Sequence, residues 1–258
     1  MKYLWQKAQK RGFHYFEIFA NFEIMLLFPD FSLYHTCDRL PDDHRMSQDT
    51  DIYETLHYGL ITNRYAHGTK LRAEQLRVDL GCSASTVREV LFRLSTVGLV
   101  TFQEQRGFRV PERSAPLLAE LTHLRVLLEG EGAILSMQFG GVAWEARLTA
   151  AHHQLSHIES RIHASKDPSD LVDLWTRAEW EFHETLISAC GSDTLKSMHA
   201  QVYARFRQQV MLADLSFEFI TDNIRHHQQI LQAALSGDAA ATRGKIADHL
   251  ARHAKGAA

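Results

Sequence analysis

The chain has 258 residues, 45% of them apolar and 23% charged, with a formal net charge of -3. That length carries one or two domains with a sizeable core, and the near-neutral balance excludes wholesale coating of nucleic acid while leaving room for a small DNA-reading patch. Three cysteines without CxxC spacing exclude a disulfide framework and a cysteine-only zinc site, which points to a reducing compartment, the cytoplasm.

Residues 1–45 differ from the rest: ten of the 25 Phe, Trp and Tyr lie in the first 34 positions. The apolar stretch Ile18 to Phe28 is interrupted by Asn21 and Glu23 and is too short to span a bilayer, so no membrane partner is expected. Lys2, Lys7, Lys10 and Arg11 precede it, but no small-residue cleavage site follows. The segment reads as an extension, either loosely packed or a start-site artefact with translation beginning at Met46. A peptide from residues 12–39 in the native protein would rule out the second reading.

From residue 51 the pattern turns regular. Ile52, Leu56, Leu60 and Ile61 predict a helix over 52–63, and Leu76 and Leu80 a second over 72–80. Gly81 suits a left-handed stop, and Ser83 caps a third helix over 84–97 with a Val87, Leu91, Leu94 stripe. Two short strands, Leu99 to Gln103 and Phe108 to Val110, flank a turn at Glu104 to Gly107. Two short helices at a glycine turn followed by a hairpin make a winged helix-turn-helix over 46–112. Ser83, Ser85 and Thr86 stand where hydroxyls and free N–H groups bind phosphate. Arg88, one turn further in, reaches a base edge or phosphate, and Arg106 with Gly107 suits a wing-tip contact. Any Ser-capped helix before a hairpin shares this outline, so periodicity alone leaves DNA reading open.

The residues are more specific. Gly81-Cys82-Ser83-Ala84-Ser85-Thr86-Val87-Arg88-Glu89-Val90-Leu91, followed by Arg93-Leu94 and Gly98-Leu99-Val100, resembles the GntR family of bacterial transcription regulators, where G-V-S-R-T-P-V-R-E-A-L, R-L and G-L-V are usual. Leu71, Glu74-Gln75-Leu76 and Arg106-Gly107 extend the resemblance to about 60 residues. The family's first recognition-helix arginine is Ala84 here, which leaves Arg77 as the candidate replacement. Residues 51–112 carry eight Lys and Arg against seven Asp and Glu, so DNA binding would rest on a few placed side chains.

After Arg113 the chain is helix-rich, with six predicted helices at about 116–138, 142–164, 168–190, 193–212, 215–235 and 238–254, separated by Gly-, Ser- and Pro-containing breaks. The fold class expected is mainly α: the winged head, then an all-α antiparallel bundle over 113–258. Such bundles build sites from inward side chains on facing helices. Glu179 and His183 share one helix face, Asn223 and His227 another, and His249 lies on the last helix. Imidazole plus carboxylate suits zinc first, with nickel, manganese or iron as alternatives. A Glu/His pair four apart is also a common surface pair, and His199, His226 and His253 compete as ligands. His152, His153, His157 and His163 read as a solvated helix face.

Arg125-Val126-Leu127-Leu128-Glu129, Glu179-Trp180-Glu181-Phe182-His183, His227-Gln228-Gln229-Ile230-Leu231-Gln232-Ala233 and Gly237-Asp238 followed by His249 resemble the R-x-x-L-E, D-x-x-F-H, H-x-x-I-L-x-A and G-D…H motifs of the FCD ligand-binding domain. The resemblance implies a divalent metal on Glu179, His183, His227 and His249, with Glu179 standing where Asp is usual, and a small organic acid held beside it. Arg125 is then an effector-binding candidate through its bidentate guanidinium, or an intrahelical partner of Glu129; Arg205 and Asn223 are weaker candidates. The expected function is a cytoplasmic, homodimeric transcription regulator, a repressor of a pseudo-palindromic double-stranded operator, responding to a small carboxylate effector. The rivals are a metal-dependent hydrolase-like enzyme and a DNA-binding protein with a purely structural metal. No catalytic constellation supports an enzyme.

Overall fold

A computed structural model of the chain describes residues 43–165, 167–210 and 217–255. The expectations for residues 1–42, the bulk of the lead segment, therefore lie outside the described residues.

The head begins with α1 (Asp43–Ile61), which starts nine residues before the predicted Ile52 because the polar lead-in Asp43 to Asp51 continues the same helix. Ile52, Leu56 and Leu60, four apart, form its buried edge. They meet Leu76 of α2 (Ala73–Asp79) and Val87, Val90, Leu91 and Leu94 of α3 (Ala84–Thr96) in one apolar core. Gly81 between α2 and α3 has φ +63, as its place at a helix stop requires. The wing is a three-stranded antiparallel sheet of β1 (Lys70–Leu71), β2 (Thr101–Gln103) and β3 (Gly107–Arg109), in the order β1-β3-β2. Strand β2 pairs with β3, and Lys70 and Leu71 of β1 pair with Arg109 and Phe108. Strand β1 is absent from the sequence expectation, since two residues carry no alternation and exist as a strand only through their partner.

The bundle comprises α4 (Ala115–Phe139), α5 (Gly141–Ala164), α6 (Val172–Ile187), α7 (Asp193–Gln209), α8 (Phe217–Leu235) and α9 (Ala239–Lys255). The predicted start at Pro168 is instead a 3-10 turn, Ser169–Leu171, with the Ser169 N–H donating to the Asp167 carboxylate at 3.0 Å. Helix α4 packs on α6, α7 and α9, and α5 packs on α6 and α8, around Trp144, Leu148, Leu155, Trp175, Phe182, Ile230 and Ile246. None of the described helices is long and apolar enough to cross a membrane.

Head and bundle belong to one compact unit from Asp43 onward. The last turn of α7 holds them together: Gln208 donates to the Leu99 carbonyl at 2.9 Å, and Gln209 donates to the Glu112 carbonyl at 3.2 Å while accepting from the Ser114 N–H at 2.9 Å. Gly98 sits at the same seam with φ +78, and a Cβ there would stand 2.9 Å from Nε of Arg205. Gly98→Ala is therefore expected to cost roughly 1–2 kcal/mol from backbone strain alone, more once Arg205 is displaced. Urea unfolding measures it, and an unchanged midpoint would contradict the strain.

Candidate metal centre and DNA-reading surface

Helix α6 presents Glu179 and His183 four residues apart, α8 contributes His227, and α9 contributes His249. All four are buried, and one ligand atom from each lies within 4.8 Å of the others. The imidazoles surround one point: ring centroids are 5.6 Å apart for His183 and His227, 5.2 Å for His183 and His249, and 4.5 Å for His227 and His249.

The surrounding charges decide the protonation states. Glu129 of α4 accepts at 2.6 Å from Nε of Arg125 and lies 2.9 Å from Nδ1 of His183 and 3.0 Å from Nε2 of His199. Burial works to raise the Glu129 carboxyl, but Arg125 first and His183 second hold it well below the usual range. Burial also works to raise Glu179; Arg207, which donates to it at 2.7 Å, outweighs that with help from His183 and His227 and holds the carboxyl at about 2. Burial pushes His183 down to about 4 against the opposing pull of Glu129. His249 falls well below the ordinary histidine range, through burial and then the neighbouring His227. At neutral pH the site holds an ionised carboxylate beside neutral His183 and His249, the states in which these groups ligate a metal.

The donor atoms fit a divalent cation. Nε2 of His183 and both ring nitrogens of His227 and His249 are buried without a hydrogen-bond partner; Nδ1 of His227 lies 3.4 Å from Glu159, outside hydrogen-bond alignment. Each buried unpaired group costs about 1–3 kcal/mol, and one cation would satisfy the three converging imidazoles together. Glu129 on His183 is the carboxylate–histidine arrangement that orients a ligating imidazole.

The remaining expected site residues divide. Arg125 is fully buried and forms the intrahelical pair with Glu129, yet its two terminal nitrogens have no partner, so pairing and a place at the cluster hold together. Asn223 reaches the cluster too, donating to Glu159 at 2.6 Å. Arg205 does not; it lies at the seam against Gly98. His152 is a correction. It is 7% exposed and packs against Phe182, whereas His153, His157 and His163 are on the exposed face. The stripe Leu148, Ala151, Leu155, Ile162 turns it inward with Glu159. Residues missed by the sequence reading carry a signal of the same kind. Glu159 is a carboxylate on an apolar stripe, and Tyr203 and Arg207 follow His199, already named as a competing ligand, at spacings of four along one buried face of α7.

In the head, Ser83 caps α3 by accepting from the Thr86 N–H at 3.1 Å, and its hydroxyl lies 2.7 Å from that of Ser85 and 3.0 Å from that of Thr86. Glu74 of α2 joins both arginines, at 3.1 Å from Arg77 and 3.0 Å from Arg88. Arg77 and Arg88 thus share one exposed face with the α3 N-terminus. Exposed ion pairs are worth little, so both guanidiniums can exchange Glu74 for phosphate or a base edge. Arg106 is exposed in the turn between β2 and β3, and the following Gly107 has φ +78.

Comparison with known proteins meets this geometry at both ends. Residues 48–110 match the bacterial regulatory proteins of the gntR family, and residues 120–252 match the FCD domain. BphR of Paraburkholderia xenovorans, an HTH-type transcriptional regulator, is 32% identical over 187 residues, which is 72% of this chain and 76% of that protein. GlaR of Escherichia coli, an HTH-type transcriptional repressor, is 29% identical over 204 residues, 78% of this chain and 91% of that protein. The solved structure of E. coli McbR/YncC has the same fold, with a TM-score of 0.68 at 19% identity, covering 80% of this chain and 94% of that one.

Proposed function

The chain belongs to the GntR family of bacterial regulatory proteins, as a transcription regulator with an FCD domain, and from that membership we propose that it is a cytoplasmic, homodimeric repressor whose grip on a pseudo-palindromic double-stranded operator is set by a small carboxylate bound with a divalent metal. The head, residues 46–112, places Ser83, Ser85, Thr86, Arg77 and Arg88 against one face of the DNA, with Arg106 and Gly107 at the wing. Two copies supply the specificity that a single half-site lacks. The bundle, residues 113–258, holds the metal on Glu179, His183, His227 and His249.

The observation that carries the effector reading is the pairing of two unmet demands in one buried place: imidazole nitrogens without partners, and an Arg125 fork whose terminal nitrogens are also without partners. The metal, when bound, supplies a Lewis-acid anchor for a carboxylate oxygen. Arg125 then takes carboxylate in bidentate fashion, Glu129 keeps Arg125 and His183 in place, and Asn223 lines the same space. The route to DNA runs through α7. Arg207 grips Glu179, and the next two residues, Gln208 and Gln209, grip the head. A ligand that shifts Glu179 or Arg207 acts on the turn that fixes the head, and it changes operator affinity only as far as its own affinity differs between the two arrangements.

Screening mono-, di- and tricarboxylates against the metal-loaded protein tests the reading. At least one is expected to raise the melting temperature and to change affinity for the chain's own upstream DNA by about 5–150-fold. Arg125→Gln is expected to weaken that response with metal content retained. A screen in which no acid moves either readout would reject the effector role.

A further inference from the structure

The DNA-facing side of α3 does not end at Arg88. Ser85, Arg88 and Phe92 follow one another at spacings of three and four, so they form one stripe along the helix, on the side away from the buried Val87, Leu91 and Leu94. All three are exposed, and Phe92 keeps 54% of its surface open. Its ring meets that of Phe102 on β2 edge to face, with centroids 6.3 Å apart. Phe102 is itself 48% exposed and stands opposite Phe108 in the sheet register, where the two ring centroids are 4.9 Å apart. Three phenyl rings thus run from α3 to the wing and end two residues from Arg106.

Half-exposed rings held together form an apolar patch, and such a patch marks a place of contact. Its position says with what. The patch lies between the two parts of the head that address DNA, and it continues the stripe that begins at Ser85 and Arg88. A phenyl ring has no hydrogen-bond donor or acceptor, so it suits neither a phosphate nor the polar edge of a base. In the major groove the apolar feature is the C5-methyl group of thymine. Four residues of helix rise about 6 Å, which is about two base-pair steps of roughly 3.4 Å each.

We infer that Phe92 is a specificity-determining residue that packs its ring on a thymine methyl about two base pairs from the base addressed by Arg88. Phe102 is a positioning residue: its edge-on contact limits the rotamers of the Phe92 side chain and fixes the angle at which the ring meets the groove. The inference rests on the DNA-reading face proposed above and adds a base preference to it.

Uracil in place of thymine removes the C5-methyl and keeps the base pair, so it isolates this contact. Footprinting on the chain's own upstream DNA delimits the protected sequence, and each thymine within it is then replaced in turn by uracil. In the wild-type chain one thymine per half-site is expected to respond, with binding about fourfold weaker for each methyl lost. Phe92→Ala should bind the thymine and uracil forms alike, and Phe102→Ala should shrink the difference. Phe92 is exposed, so Phe92→Ala should melt close to the wild type; Phe92→Gln, which also offers no apolar ring, decides the matter if the alanine variant fails to fold. A protected sequence indifferent to every uracil, a full methyl effect that persists in Phe92→Ala, or a changed oligomeric state of Phe92→Ala with unchanged DNA reading would each overturn the inference, the last by making the patch a protein contact. Arg88→Ala separates the two levels. Lost binding in that variant beside an unaltered methyl effect in Phe92→Ala removes Phe92 alone, whereas wild-type binding by Arg88→Ala removes the reading face on which the inference stands.

Discussion

Replacing His183 and His227 together by alanine is expected to reduce bound metal from about one ion per chain to background, measured by elemental analysis on purified protein. Two of four ligands are lost, and those two sit on different helices, α6 and α8, so no single neighbouring side chain restores the donor set. His199 is an alternative imidazole in the cluster, but its Nε2 is engaged with Glu129 at 3.0 Å. The orienting partner gives a graded control. Glu129→Gln keeps all four ligands and removes the charge on His183, which for such partners typically costs about 10–100-fold in metal affinity. The expected order of metal affinity is therefore wild type, then Glu129→Gln, then the double variant. Undiminished metal in the double variant would reject this ligand set, and its fluorescence and far-UV spectra would show whether the bundle itself persists. Removing the imidazoles also removes buried polar groups, so the metal-free double variant should be no less stable than the metal-free wild type beyond the cavity left behind.

Arg88→Ala is expected to abolish the gel shift of the chain's own upstream DNA. One well-placed arginine contact to a base edge is worth about 1–3 kcal/mol. The proposed homodimer would lose it twice, so the combined loss expected is about 2–6 kcal/mol, or roughly 30-fold to 10⁴-fold. The free protein should barely notice. Arg88 is exposed, and its partner Glu74 keeps Arg77. The substitution therefore separates a DNA-reading role from a structural one: unchanged melting temperature with lost binding supports the role, and wild-type operator affinity overturns it. Arg77→Ala provides the comparison for the arginine missing at Ala84. A loss similar to that of Arg88→Ala would place the replacement contact on α2.

Much of this was legible in the sequence because the relevant signals are local. The N-cap at Ser83, the left-handed Gly81 and the stripe Val87, Leu91, Leu94 depend on residues within a turn or two of each other, and the structure has each in the expected role. The four metal-site candidates were legible as two helical faces and one distant histidine, and the family motif joined them. His152 was misassigned because four histidines close together suggest a solvated face, while the apolar residues that turn one of them inward are interleaved with them. Strand β1 was missed because its two residues become a strand only against β3. Arg205 has the chemistry of a pocket residue, but its place two residues from both Tyr203 and Arg207 rotates it to the opposite face of the helix, at Gly98.

The order of elements, the family and the identity of the side chains that carry chemistry follow from the chain alone, since periodicity, capping and motif are properties of neighbours along it. Which of those side chains share a space was decided only by tertiary structure. All six bundle helices contribute to one buried cluster, in which Glu129 of α4 orients a histidine of α6 and Arg207 of α7 neutralises a carboxylate of α6. Whether a buried nitrogen finds a partner depends on packing across helices, which no spacing along one helix encodes. The same holds for the aromatic patch of the head. Phe92 is an ordinary exposed residue of its own helix, and it becomes one of three adjoining rings only when the hairpin lies against α3. The near-neutral charge of the whole chain fits both levels: the polar chemistry sits at a few fixed points, and folding brings them together.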